Sequence, residues 1–156
     1  MKLSIIGAGA WGTALAILAQ KQGHQVRLWA RRTEIAQHIL SKQTVPYLKG
    51  IRLPNEIAAT PDLAKAIEGS DLVVIAVPSH GVRAVAKRLS LLIEGLPILS
   101  VTKGIETETH LRMSQVIRET IGENDVVVLS GPSFAHDVIG GKPTAVVVAS
   151  DNAGRA

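Results

Sequence analysis

The sequence predicts an α/β domain: a doubly wound, mainly parallel sheet with helices on both faces. Three observations predict it. Short β-branched runs alternate with segments of helical period along the whole chain. One run, Leu72–Val77 (LVVIAV), is apolar without a break, as a parallel strand covered on both faces must be. With 156 residues, 46% of them hydrophobic, the chain can bury one ordinary core, and it shows neither internal repeat nor low-complexity tract.

The elements follow in order. Lys2–Ile6 reads as a short buried strand. Trp11–Gln22 reads as a helix with Ala14, Leu15, Leu18 and Ala19 on one stripe, closed by Gly23. Gln25–Ala30 is a second strand around Val26 and Leu28, and a helical segment follows over Thr33–Ser41. Gln43–Thr60 holds Pro46, Gly50 and Pro54 and reads as an irregular loop, long enough to suggest a functional one. Asp62–Glu68 is a short helix with Pro61 near its start, and Leu72–Val77 is the strand already noted. Val82–Leu92 is a helix, Pro97–Val101 a strand, Leu111–Ile121 a helix, and Asp125–Leu129 and Thr144–Ala149 are strands. Ser150-Asp151-Asn152 offers N-cap chemistry, which predicts a helix beginning there.

Composition narrows the function. No cysteine is present, which removes disulfide and thiolate-metal frameworks. The histidines His24, His38, His80, His110 and His136 show no ligand spacing, so no metal site is expected. The net charge is +4, with basic residues scattered over Lys21, Arg27, Arg31, Arg32, Lys42, Lys49 and Arg52 and few aromatics between them. That pattern suits a small anionic ligand and argues against nucleic acid. Leu3–Ala19 carries no charge behind Lys2, but Gly7, Gly9 and Gly12 split it, and a membrane span needs about 20 apolar residues. The expectation is a cytoplasmic protein without membrane insertion.

Gly7-Ala8-Gly9-Ala10-Trp11-Gly12 fits G-x-G-x-x-G between a strand and a helix. This is the dinucleotide-binding context of a Rossmann-type sheet. Gly7 allows the tight turn, Gly9 leaves room for pyrophosphate, and Gly12 lets helix and strand approach. The helix start, with Ala10 and Trp11, offers free N–H groups to the phosphates. About 20 residues on, an NAD site usually carries an acid for the ribose 2′-hydroxyl. Here stands Trp29-Ala30-Arg31-Arg32, with no acid before Glu34. A guanidinium pairs with a 2′-phosphate that a carboxylate would repel, so NADP(H) is favoured and NAD(H) stays possible. Arg31 is the favoured reader; Arg32 serves either the ligand or the start of the next helix. Trp29 reads as core or adenine-side packing.

GAGAWGTALA at Gly7–Ala16, YLKGIRLP at Tyr47–Pro54, AVPSHGVR at Ala76–Arg83, TKGIE at Thr102–Glu106 and SGPSFAHDV at Ser130–Val138 occur in that order. Together they resemble the N-terminal half of bacterial NAD(P)-dependent glycerol-3-phosphate dehydrogenase, over essentially the whole chain. Lys49 departs from the family, which more often has proline there. The resemblance implies reversible reduction of dihydroxyacetone phosphate to sn-glycerol 3-phosphate, a glycerophospholipid precursor. It implies that Trp11, Arg31, Arg32, Lys103 and Ala135 line the cofactor and that Lys103, Gly131 and Ser133 meet the substrate. It further implies a homodimeric full-length enzyme, with a second catalytic lysine in a helical substrate domain. The expectation is therefore a dinucleotide-binding domain over 1–156, cut from a longer protein and inactive alone.

Residue chemistry agrees with that assignment. Lys103 follows the strand Pro97–Val101 at the carboxyl edge, where an ammonium can polarise a carbonyl and stabilise an alkoxide. A solvated loop lysine is the plainer alternative. Ser130-Gly131-Pro132-Ser133 lies at the same edge and serves either a ligand or its own turn. Ser79 is read as a helix N-cap. Glu106 and Asp137 either orient Lys103 or cap helices. Two competing functions share this first half: a related 3-hydroxyacid or sugar-nucleotide dehydrogenase, and a non-catalytic dinucleotide-sensing module.

Overall fold

A computed structural model describes residues 1–93, 95–122 and 124–154; residues 94, 123, 155 and 156 of the expected domain lie outside the described residues. Seven strands form one sheet: β1 (Lys2–Ile6), β2 (Gln25–Trp29), β3 (Ala58–Thr60), β4 (Leu72–Ile75), β5 (Ile98–Ser100), β6 (Val126–Ser130) and β7 (Val147–Ser150). Their order is β3-β2-β1-β4-β5-β6-β7, with every pairing parallel except β6 with β7. The helices are α1 (Ala10–Lys21), α2 (Thr33–Lys42), α3 (Leu63–Ile67), α4 (Val82–Leu89), α5 (Met113–Ile121) and α6 (Ala135–Ile139). This is the doubly wound sheet the sequence predicts.

Strand periodicity explains the two-sided core. Successive side chains point to opposite faces, so a strand apolar at every position feeds two clusters. Ile5 and Val74 pack with Ala16 and Ile17 of α1 and Ile39 of α2. Ile6, Val73 and Ile75 pack on the other face with Val85 and Leu89 of α4 and Val116 and Ile117 of α5. Each such side chain, fully buried, contributes about 1.5–3 kcal/mol. The chain passes from β1 to β2 on one side, and β4 flanks β1 on the other. The loops after β1 and β4 therefore diverge and open a crevice at the carboxyl edge.

The structure corrects several boundaries. The segment expected to be irregular from Gln43 to Thr60 ends in β3, which pairs with β2 from Arg27↔Ala58 to Trp29↔Thr60. Ala-Ala-Thr carries little strand propensity, so the pairing is imposed by the neighbouring edge. The rest of that loop buries Val45, Leu48, Leu53 and Ile57, packing against the face that holds α1 and α2. Helix α4 stops at Leu89, three residues early, where the Ser90 hydroxyl donates to the Lys87 carbonyl at 2.9 Å. Helix α6, absent from the sequence reading, is a single short turn set between Phe134 and Gly140. Among the described residues no helix begins at Ser150: Asn152 N–H donates to the Ser150 hydroxyl at 3.2 Å, and Gly154 N–H to the Asn152 side chain at 3.1 Å. The capping chemistry there closes turns instead. Among the described residues, no helix is long and apolar enough to cross a membrane.

Candidate functional site

Four loops meet at the carboxyl edge, following β1, β4, β5 and β6. The first carries the glycines, which do not all serve the same purpose. Gly7 sits at φ +129, and a Cβ there would lie 2.7 Å from the Ala76 carbonyl oxygen. A Cβ on Gly12 would lie 2.0 Å from the Gly7 carbonyl oxygen and 3.1 Å from Ala76 Cβ. Gly9 differs, because a Cβ there would meet nothing within 4 Å. Two glycines are thus demanded by packing, and the third faces open space. Helix α1 starts directly beyond it with Ala10, has no acidic residue in its first turn and no side-chain cap. Its first N–H groups and the positive end of its dipole are available to an anion.

Trp11, in that first turn, is half-buried, and its indole N–H is buried without a hydrogen-bond partner among the described residues. An orphaned buried donor costs about 1–3 kcal/mol. Lys103 reaches over it, with Nζ 5.7 Å from the ring centroid. The same ammonium donates to the Gly131 carbonyl at 2.8 Å, the Ser133 carbonyl at 3.0 Å and the Ser133 hydroxyl at 3.3 Å. Lys103 lies 28 residues before Gly131 and 30 before Ser133, and meets them here because β5 and β6 are neighbours. Gly131 has its own packing reason: at φ +154, a Cβ would lie 2.6 Å from the Ala145 carbonyl oxygen on the chain entering β7. Ala135 opens α6, half-buried against the face that holds α1.

The two arginines after β2 part company. Arg31 is exposed and makes no hydrogen bond or ion pair among the described residues. Arg32 is the N-cap position of α2 and donates to the Tyr47 hydroxyl in the long loop. Trp29 is core: it is 1% exposed, donates to the Pro61 carbonyl at 2.9 Å, and carries Arg88 against its outer face at 5.4 Å.

Two assignments made from residue type are corrected, and that of Glu106 gains a partner. Ser79 is not a helix N-cap; it begins a 3₁₀ turn, Ser79–Gly81, and α4 starts after Gly81 without a side-chain cap. Asp137 is paired with Lys142 at 2.7 Å and raises the pKa of that lysine, so it neither caps a helix nor touches Lys103. Glu106 is taken by Arg83, which donates from Nε at 2.8 Å and from Nη2 at 2.7 Å. That guanidinium, with the Thr109 hydroxyl, lowers the Glu106 pKa to about 2. Sequence spacing holds no sign of the Arg83 pairing, because the partners are 23 residues apart on different elements. Sequence reasoning also misses Thr102, whose hydroxyl donates to the Val77 carbonyl at 2.8 Å and ties the β5 loop to the β4 loop.

A family model for the NAD-dependent glycerol-3-phosphate dehydrogenase N-terminus matches residues 2–156. The chain belongs to that family. Glycerol-3-phosphate dehydrogenase [NAD(P)+] from Thermoanaerobacter sp. (strain X514) is 46% identical, over 97% of this chain and 46% of its own length. The protein of the same name from Geobacillus kaustophilus is 46% identical, over 96% of this chain and 45% of its own. The crystal structure of glycerol-3-phosphate dehydrogenase from Coxiella burnetii superposes with a TM-score of 0.92 at 33% identity, covering 98% of this chain and 47% of that one. The chain thus spans about half the length of the glycerol-3-phosphate dehydrogenases it matches.

Proposed function

We propose that this chain is the cofactor-binding half of an NAD(P)H-dependent enzyme interconverting dihydroxyacetone phosphate and sn-glycerol 3-phosphate. The observation that carries the reading is the meeting of Lys103, Gly131 and Ser133 beside Trp11, one loop away from the glycine turn. A bare dinucleotide sensor has no use for an ammonium aimed there.

The glycine turn fits a dinucleotide. Open space above Gly9, the uncapped start of α1 and the orphaned Trp11 N–H together suit a pyrophosphate group. Ala10, Trp11 and Ala135 would line the cofactor, and Arg31 is free to meet a 2′-phosphate, which favours NADP(H) while leaving NAD(H) acceptable. When bound, the reduced nicotinamide supplies the hydride.

The protein's own part is electrostatic. Lys103 has three donors and three oxygen partners, the weakest being the Ser133 hydroxyl at 3.3 Å. A substrate carbonyl oxygen would replace that partner, leaving the carbonyls of Gly131 and Ser133 to hold the ammonium in place. The displaced Ser133 hydroxyl then becomes a second donor or acceptor for the triose. An ammonium already oriented at the oxygen stabilises the charge that grows on it without reorganising at that moment. The second lysine, the phosphate grip and the dimer contact belong, on this reading, to the other half of the full-length enzyme. The isolated chain binds cofactor without turning over.

Titration of the full-length protein with NADPH and NADH, followed by tryptophan fluorescence with and without dihydroxyacetone phosphate, tests the reading. Saturable binding, tighter for NADPH and altered by the triose phosphate, supports it. Cofactor binding indifferent to the triose phosphate moves the chain to the sensor reading. In the full-length enzyme, Lys103→Ala should lower turnover about 100-fold or more, and near-normal turnover removes Lys103 from the chemistry.

A further inference from the structure

Lys103 stands on a short arc of backbone with a fixed point at each end. Upstream, Val101 N–H donates to the Ile75 carbonyl at 3.0 Å and the Thr102 hydroxyl to the Val77 carbonyl at 2.8 Å, tying the arc to the end of β4. Downstream, the Glu106 N–H donates to the Leu111 carbonyl at 2.9 Å, and the Glu106 carboxylate receives the two parallel bonds from Arg83. Arg83 Nη2 reaches on to Glu119 of α5 at 3.0 Å, so one guanidinium joins the arc to both helices of that face. Between the anchors lies Gly104 at φ +118, a backbone conformation that a side chain would resist. The arc is therefore held at both ends, and at the downstream end the side-chain tie to the helices is the Arg83–Glu106 pair.

We propose that Arg83 and Glu106 are positioning residues for Lys103. Their pair, at 2.7 and 2.8 Å, fixes the downstream end of the arc and thereby sets where the ammonium meets the Gly131 and Ser133 oxygens. The proposal rests on the role given to Lys103 above. A guanidinium–carboxylate fork fixes orientation as well as distance, which a single ammonium contact does not. The Glu106 side chain is 15% exposed, so water competes weakly for it. Such support matters because a reacting group loses effectiveness when displaced by about 0.5 Å or more.

The test reads Lys103 directly, in the chain itself. In ¹⁵N-labelled protein, the Lys103 ammonium resonance is assigned by its loss in Lys103→Arg, and its exchange with water is measured. Three oxygen partners should slow that exchange in the wild type. Arg83→Gln and Glu106→Gln should each speed it about tenfold, the equivalent of one lost charged hydrogen bond. Arg83→Lys should fall between. Lys142, paired with Asp137 at 2.7 Å far along the chain, serves as the internal control and should not change. A role confined to stability would lower the melting point of these variants and leave the Lys103 exchange rate as it was; that result overturns the proposal. Should Arg83→Gln fail to fold, Arg83→Lys carries the test, and a wild-type exchange rate there overturns it equally. No cofactor or substrate enters the measurement, so failure here leaves the proposed chemistry of Lys103 standing. A catalytically silent Lys103→Ala removes that chemistry without touching this result.

Discussion

A side chain on Gly12 would have to occupy the backbone of Gly7: its Cβ would lie 2.0 Å from the Gly7 carbonyl oxygen. The atom in the way is main chain, held by the Gly7 N–H bond to the Trp29 carbonyl at 3.1 Å, and it has nowhere to yield. Gly12→Ala should therefore destabilise the fold by about 1–3 kcal/mol or more, the usual cost of overpacking. Urea denaturation measures it as a lowered midpoint at unchanged slope.

Gly9→Ala should do the reverse. Gly9 has φ −77 and ψ −179, which any residue adopts, and a Cβ there meets nothing within 4 Å. The variant should keep the wild-type urea midpoint while binding NADPH about tenfold or more weakly, a loss of about 1.4 kcal/mol or greater. If Gly9→Ala bound as well as the wild type, the pyrophosphate would not lie over this turn.

Arg31→Ala should separate the two nucleotides. The side chain is exposed and forms no hydrogen bond or ion pair among the described residues, so its removal costs the fold nothing. A charge-assisted bond to a 2′-phosphate is worth about 1.5–3 kcal/mol, so NADPH affinity should fall about 10-fold to 150-fold. NADH affinity should stay within a factor of about two of the wild type. Arg32→Ala should cost less for NADPH, because Arg32 is already engaged by Tyr47. Equal losses for both nucleotides would show that Arg31 reads something common to them.

What is legible in the sequence is whatever depends on local pattern. The valine run Leu72–Ile75 has to be a buried strand, and glycine spacing after β1 has to be a turn, because period and conformational freedom are properties of neighbouring residues. Lys103 can be placed at the carboxyl edge because it follows a strand, and its company with Ser133 is drawn from the motifs around both. Pairings between distant elements are not legible. Nothing in Ala58–Thr60 announces a strand until β2 offers its open edge. Glu106 suits two local roles in sequence, and its actual partner is Arg83 on the preceding helix. Ser79 shows the converse error: good capping chemistry is present, but the chain turns through a 3₁₀ segment before α4 begins.

The Arg83–Glu106 pair also makes an acid-stability prediction whose sign is fixed. Three donors surround the Glu106 carboxylate: Arg83 Nε at 2.8 Å, Arg83 Nη2 at 2.7 Å and the Thr109 hydroxyl at 2.6 Å. They lower its pKa in the folded protein to about 2, from 4.5 in the unfolded chain. Between those values the unfolded state carries a proton that the folded state does not. Acid therefore favours unfolding there, and stability rises with pH. The contribution is complete above the unfolded value of 4.5 and is lost as pH falls through about 2. Glu106→Gln has no proton to take up at this position. The stability gap between wild type and Glu106→Gln, measured by urea denaturation, should be widest near neutral pH and close steadily as acid is added below 4.5. Carboxylates that do not share Arg83 titrate in both proteins alike and cancel in the difference. A gap that stays constant down to about pH 2 would mean that the carboxylate is not held as a charged partner of Arg83. The loop carrying Lys103 would then owe its position to Thr102 and to its backbone bonds to Ile75 and Leu111.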